Sequence, residues 1–178
     1  MTMPKLSMSR RDAVSALGVA AFAGAIATSA HAQSENPKLR KNEMSNPTTR
    51  KIAERPHQIV ERVAEFMADG DLEGVVSMFH PDVRIALDPD NADPLVGQDA
   101  AREIFKDACA ARAILKGTVS GEMINGDTAI LQGEWTMEGP DGTPMGGGTS
   151  TEVAKQLPNG GWTYFIDCPI SVPKPVRG

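Results

Sequence analysis

The sequence predicts an α+β fold: a curved, mainly antiparallel sheet with three helices covering one face. Three observations point there. Apolar residues recur at helical spacing up to about residue 110 and mostly alternate after it. Clusters of Gly, Asn, Asp and Pro punctuate the alternating part at regular intervals. The stretch from about residue 55 to 170 is the size of one domain with one core.

The elements follow in order. Pro56 suits the first turn of a helix. Ile59, Val60, Val63, Phe66 and Met67 form its apolar stripe, and Gly70 stops it. Asp71 can cap a second short helix carrying Val75, Val76, Met78 and Phe79, broken by Pro81-Asp82. Val83, Ile85 and Leu87 alternate as a short strand, and Asp88-Pro89-Asp90-Asn91 is a turn cluster. Gly97 precedes a third helix whose apolar face holds Ala100, Ala101, Ile104, Phe105, Ala108 and Cys109.

The rest reads as four antiparallel strands. Leu115–Ile124 and Thr128–Glu138 flank the tight turn at Asn125-Gly126-Asp127. Residues 129, 131, 133, 135 and 137 share one face of the second of these strands. Thr149–Leu157 and Trp162–Cys168 flank Pro158-Asn159-Gly160-Gly161. Gly146-Gly147-Gly148 precedes a strand and no Lys-Ser/Thr follows it, so it marks a bulge or bend and not a phosphate loop.

The first 32 residues read as an address. Ser9-Arg10-Arg11-Asp12 precedes a mild apolar run from Ala13 to Ala30, and Ala30-His31-Ala32 is a small-x-small cleavage site. This resembles a twin-arginine (Tat) export signal, which implies a periplasmic or secreted protein. An Ala/Gly run without a basic flank is a poor membrane anchor, so no integral membrane protein is expected after processing. Residues 33–54 are polar and aperiodic and read as a disordered tether, and 171–178 as a tail.

Charge is uneven along the chain. The 178 residues carry 18 basic and 23 acidic groups, a net of −5. Residues 56–173 hold 7 basic and 19 acidic groups, a net of −12. Such a domain repels phosphate backbones, which excludes nucleic acid as a partner. Three His and two Cys give no metal-ligand spacing, and no cofactor motif is present, so neither metal nor cofactor is expected. Cys109 and Cys168 are expected to be buried thiols, although an exported protein could join them.

The order of elements, with Ala68-Asp69-Gly70-Asp71-Leu72-Glu73-Gly74-Val75-Val76, Pro81-Asp82-Val83, Leu87-Asp88-Pro89, Val96-Gly97-Gln98-Asp99-Ala100, Gly126-Asp127-Thr128 and Gly161-Trp162-Thr163-Tyr164, resembles the nuclear transport factor 2-like superfamily. That superfamily includes ketosteroid isomerase, the SnoaL polyketide cyclases and scytalone dehydratase. The resemblance implies a cone-shaped fold, its strongly curved sheet wrapping a pocket against the three helices, and frequent homodimers. Val63, Phe66, Phe79, Phe105, Trp135 and Tyr164 are the expected pocket wall.

The resemblance also implies site residues. Asp88 matches the isomerase base in type, reaching the cavity if the strand bulges and capping a turn if it does not. Val63 replaces the isomerase's helix Tyr, so that phenol donor is missing. Glu152 falls near the second oxyanion donor, or else lies beside Lys155 on an exposed face. Asp167 can reach the cavity or bond a neighbouring strand, and Tyr164 could supply the phenol. His80 is a weaker match to the dehydratase His. Two readings stand: a pocket that binds a small apolar organic molecule without catalysis, or a cofactor-free isomerase, cyclase or dehydratase with a pocket Asp as general base.

Overall fold

The computed structural model describes residues 51–88, 90 and 93–170. The expected export signal, its cleavage site at Ala30 and Ala32, nearly all of the tether and the 171–178 tail lie outside the described residues. Folding is under way by Ala53, which is buried and bridges to Trp162, whose N–H donates to the Ala53 carbonyl.

A single 3₁₀ turn, Pro56–Gln58, leads into helix α1, Ile59–Asp69. The Gln58 side chain accepts the Glu54 and Arg55 N–H groups, which would otherwise be orphaned at the helix start. Gly70 ends α1 at φ 74°, a left-handed cap that favours glycine. Helix α2, Leu72–Ser77, is capped by Asp71, which accepts the Gly74 N–H at 2.9 Å. The long helix α3 spans Gly97–Ala110.

The strands are β1 (Phe79–Ile85), β2 (Leu95–Val96), β3 (Ile114–Asn125), β4 (Thr128–Glu138), β5 (Pro144–Gln156) and β6 (Trp162–Cys168). They form one six-stranded sheet in the order β2-β1-β6-β5-β4-β3. Only β1–β6 is parallel, so the sheet is mixed, with β2 and β3 as its open edges. Helices α1 and α3 pack on one face, α1 across β3 and α3 against β1. The core lies between, built from Ile59, Val63, Met67, Phe79, Val83, Ile85, Leu131 and their neighbours. Among the described residues no helix is long and apolar enough to cross a membrane.

Two boundaries differ from the sequence expectation. The second helix stops at Ser77, and Phe79 and His80 belong to β1. The cause is long-range: Phe79 pairs with Tyr164, whose N–H donates to the Met78 carbonyl. Pro81 breaks no helix; it sits in a strand whose register slips between Phe79 and Arg84, where a missing N–H is tolerated. The two-residue β2 is too short to leave a periodic signal.

The glycine run lies inside β5, which begins five residues earlier than expected. Glu138 pairs with Pro144 and Met137 with Gly146, so Met145 is the extra residue of a bulge. A Cβ on Gly147 would lie 2.9 Å from the Trp135 carbonyl, and one on Gly148 3.0 Å from that of Pro169. Side chains are absent where strand and loop approach most closely.

Candidate functional site

A cavity of about 230 Å³ lies between the two longer helices and the inner face of the sheet. Helix α1 contributes Val60 and Val63, and α3 contributes Ile104 and Phe105. Phe79 and Ile85 come from β1 and Leu87 from just beyond it; Leu115, Val119, Trp135 and Met137 come from β3 and β4. The Trp135 indole is fixed by its N–H, which donates to the Pro169 carbonyl at 2.7 Å. The apolar walls follow from strand alternation: the residues facing the helices are the apolar half of each strand.

The buried polar groups of the lining come from β5 and β6. Strand alternation puts Ser150, Glu152 and Ala154 on the buried face of β5, and Lys155 on the other. Glu152 is therefore a cavity residue, only 8% exposed. Asp167 faces it in direct register on β6 and is 7% exposed.

Tyr164 joins them through an irregularity. Strict alternation would put Tyr164 and Asp167, three residues apart, on opposite faces. Val153 pairs with Ile166 but Ala154 with Tyr164, which leaves Phe165 as an extra residue. That bulge turns Tyr164 onto the face of Asp167, and both line the cavity. Phe165 goes to the other face, under Lys155 Nζ and against the edge of His80.

The electrostatics follow from burial. Loss of water pushes the Asp167 carboxyl from an ordinary 3.8 up to about 7, with the Glu152 charge adding to the effect. Glu152 is raised by its own burial, offset in part by a hydrogen bond from Ser150. The Tyr164 phenol is held well above its ordinary value, by burial first and then by both acids. Burial thus favours the neutral form of each of these acid groups, which can donate or accept a proton inside the cavity.

The other residues singled out in the sequence lie elsewhere. Asp88 is outside the cavity lining: β1 ends at Ile85, no bulge follows that turns Asp88 inward, and its Oδ1 accepts the Asp90 N–H at 2.8 Å in a local turn. Phe66 is buried in the core and outside the lining; it packs over Gly74, where a Cβ would meet its ring. Val63, Phe79, Phe105, Trp135 and Tyr164 all line the cavity. His80 Nδ1 accepts the Asp82 N–H, away from the cavity lining. Cys109 and Cys168 are free and buried, and burial pushes the Cys109 thiol up to about 11. Among the described residues no three His, Cys, Asp or Glu side chains are grouped to hold a metal ion. Ser150 was not anticipated; a lone Ser in a Thr/Ser-rich strand carries no signal of its own.

Comparison with known proteins gives the same fold. A structure from Mycobacterium tuberculosis, of a protein of unknown function, superposes with a TM-score of 0.53 at 19% identity, covering 62% of this chain and 70% of that one. An NTF2-like protein with a cystatin-like fold from Novosphingobium aromaticivorans gives 0.53 at 14% identity, covering 67% and 81%. A domain of unknown function with a cystatin-like fold from Nostoc punctiforme gives 0.51 at 14%, covering 67% and 75%. No curated protein matches the sequence significantly. The profile of the SnoaL-like domain matches residues 60–155, from the first turn of α1 to the end of β5, and the chain belongs to that family.

Proposed function

We propose that this is an exported binding domain that holds a small organic molecule in the cavity, its apolar body against Val63, Phe79, Phe105 and Trp135 and its polar group at Glu152, Tyr164 and Asp167. One observation carries the reading: a predominantly apolar cavity whose buried polar side chains converge on one wall. Apolar walls supply affinity and the convergent groups supply orientation. The test is thermal denaturation of the full chain against a panel of small ring compounds, with Val119→Trp to fill the cavity. A ligand at about 100 times its Kd should add roughly 2.7 kcal/mol of stability. The gain should vanish in Val119→Trp while that variant still melts cooperatively. No gain from any compound would count against binding in this cavity.

A second reading is favoured by the position of Asp167. A carboxyl titrating at about 7 is matched to general acid–base work near neutral pH. As base it would take a proton from carbon next to a carbonyl. The C–H electron pair would pass to the carbonyl oxygen, held by the Tyr164 hydroxyl. Asp167→Asn should then abolish turnover and Asp88→Asn should not.

Export and pairing belong to the same proposal. The Arg10-Arg11 pair and the Ala30-His31-Ala32 site support secretion with loss of residues 1–32. A homodimer is supported by one row of the sheet's outer face. Met123, Ile130, Val153 and Ile166 stand side by side across four strands, and Met123 is 68% exposed. A flat row of this kind can meet its own copy about a two-fold axis.

A further inference from the structure

We infer that the molecule taken by the cavity carries a positive charge, an ammonium group on a small ring-sized body. This rests on the binding reading above and narrows its ligand class. The side chains that could titrate or carry charge around the cavity are Glu134 on β4, Glu152 on β5, and Tyr164 and Asp167 on β6. Among the described residues no Lys, Arg or His lines it; α1, α3, β1 and β3 present aliphatic or aromatic groups and one Thr.

Two of those acids, Glu152 and Asp167, are more than nine-tenths buried and stand in register on neighbouring strands. No described residue donates a hydrogen bond or pairs a cation with the Asp167 carboxyl, although it opens on the cavity. Removing two carboxyls from water without a cation between them is unfavourable, and the usual remedies are a counter-charge or protonation. An ammonium at this place supplies the counter-charge and up to three N–H donors together.

The walls fit the same ligand. Four of the chain's eight aromatic residues, Phe79, Phe105, Trp135 and Tyr164, line this one cavity. Aromatic ring faces attract cations, most strongly away from water. The domain's net charge of −12 adds a field that draws cations and turns anions away. The volume of about 230 Å³ is below the roughly 300–1,000 Å³ usual for drug-sized ligands, which suits one ring and a short chain.

Calorimetric titration of the full chain at pH 8 with three matched probes tests this: 2-phenylethylamine, its neutral analogue 2-phenylethanol, and the anion phenylacetate. The amine should bind at least tenfold more tightly than the alcohol, and phenylacetate should not bind. Asp167→Asn and Glu152→Gln should each weaken the amine at least fivefold and by more than they weaken the alcohol. A melting curve for each variant shows that it is folded. Alcohol binding as tight as the amine would overturn the charge assignment and leave the apolar cavity standing. Amine affinity unchanged in both variants would overturn the role of these carboxyls. Binding of none of the three would overturn this inference together with the binding reading beneath it.

Discussion

Asp167 combines burial, a facing acid and, among the described residues, no counter-ion, and the first two follow from its neighbours on β5 and β6. Its folded pKa, about 7, lies above the ordinary 3.8, so the native state binds more protons than the unfolded chain between those values. Stability therefore falls as pH rises through that window. At roughly 1.4 kcal/mol per unit, the loss is about 4 kcal/mol at most by pH 8. Urea denaturation of Asp167→Asn should show a flatter pH profile and a variant at least as stable as wild type at pH 8. A variant much less stable there would mean that the carboxylate has a partner. Asp88→Asn should cost no more than about 1 kcal/mol, the scale of one turn hydrogen bond, and leave ligand binding intact. Glu152 and Asp167 could be named in the sequence, but not their orientation. Alternation along β5 could have placed Glu152 opposite Lys155. Asp88 could not be placed from sequence, because its role hung on a bulge that only the pairing of β1 decides.

At the scale of elements, the site depends on an irregular strand. Without the extra residue at Phe165, Tyr164 and Asp167 could not share a face. Glycines serve the same closeness. A Cβ on Gly133 would lie 2.5 Å from the Thr118 carbonyl, a backbone atom that cannot rotate away. One on Gly121 would meet nothing nearer than Gln132 Cβ at 3.8 Å. Gly133→Ala should cost roughly 1–3 kcal/mol by overpacking, whereas Gly121→Ala should be neutral or slightly stabilising, both measurable by urea denaturation. Equal costs would remove the steric explanation. The bounds of β4 and β6 are legible residue for residue, because turn residues or a proline mark both ends of each. The start of β1 is not, because Phe79 is a strand residue only through Tyr164, 85 positions away. The same limit hides the Phe165 bulge: no local pattern records which residue a distant strand leaves unpaired.

Across the whole molecule, charge and apolar surface divide the labour. The acidity is concentrated between residues 56 and 173, and most of the basic residues fall before or after that stretch. The apolar row of Met123, Ile130, Val153 and Ile166 crosses the outer face, opposite the cavity. Light scattering should find a dimer that Ile130→Lys converts to monomer, with ligand binding kept; a wild-type monomer would exclude pairing on this face. Mass spectrometry of the secreted protein should find a chain beginning at Gln33, and an intact leader would contradict the export reading. The fold as a whole was legible because its elements follow in a characteristic order. The ligand was not, since it depends on which side chains three distant strands bring to one wall. The most direct test of that wall is a ¹³C NMR titration of the Asp167 carboxyl in the ligand-free full chain. A midpoint near the value of about 7 is expected, and a midpoint near the ordinary 3.8 would contradict a dry, proton-holding cavity floor.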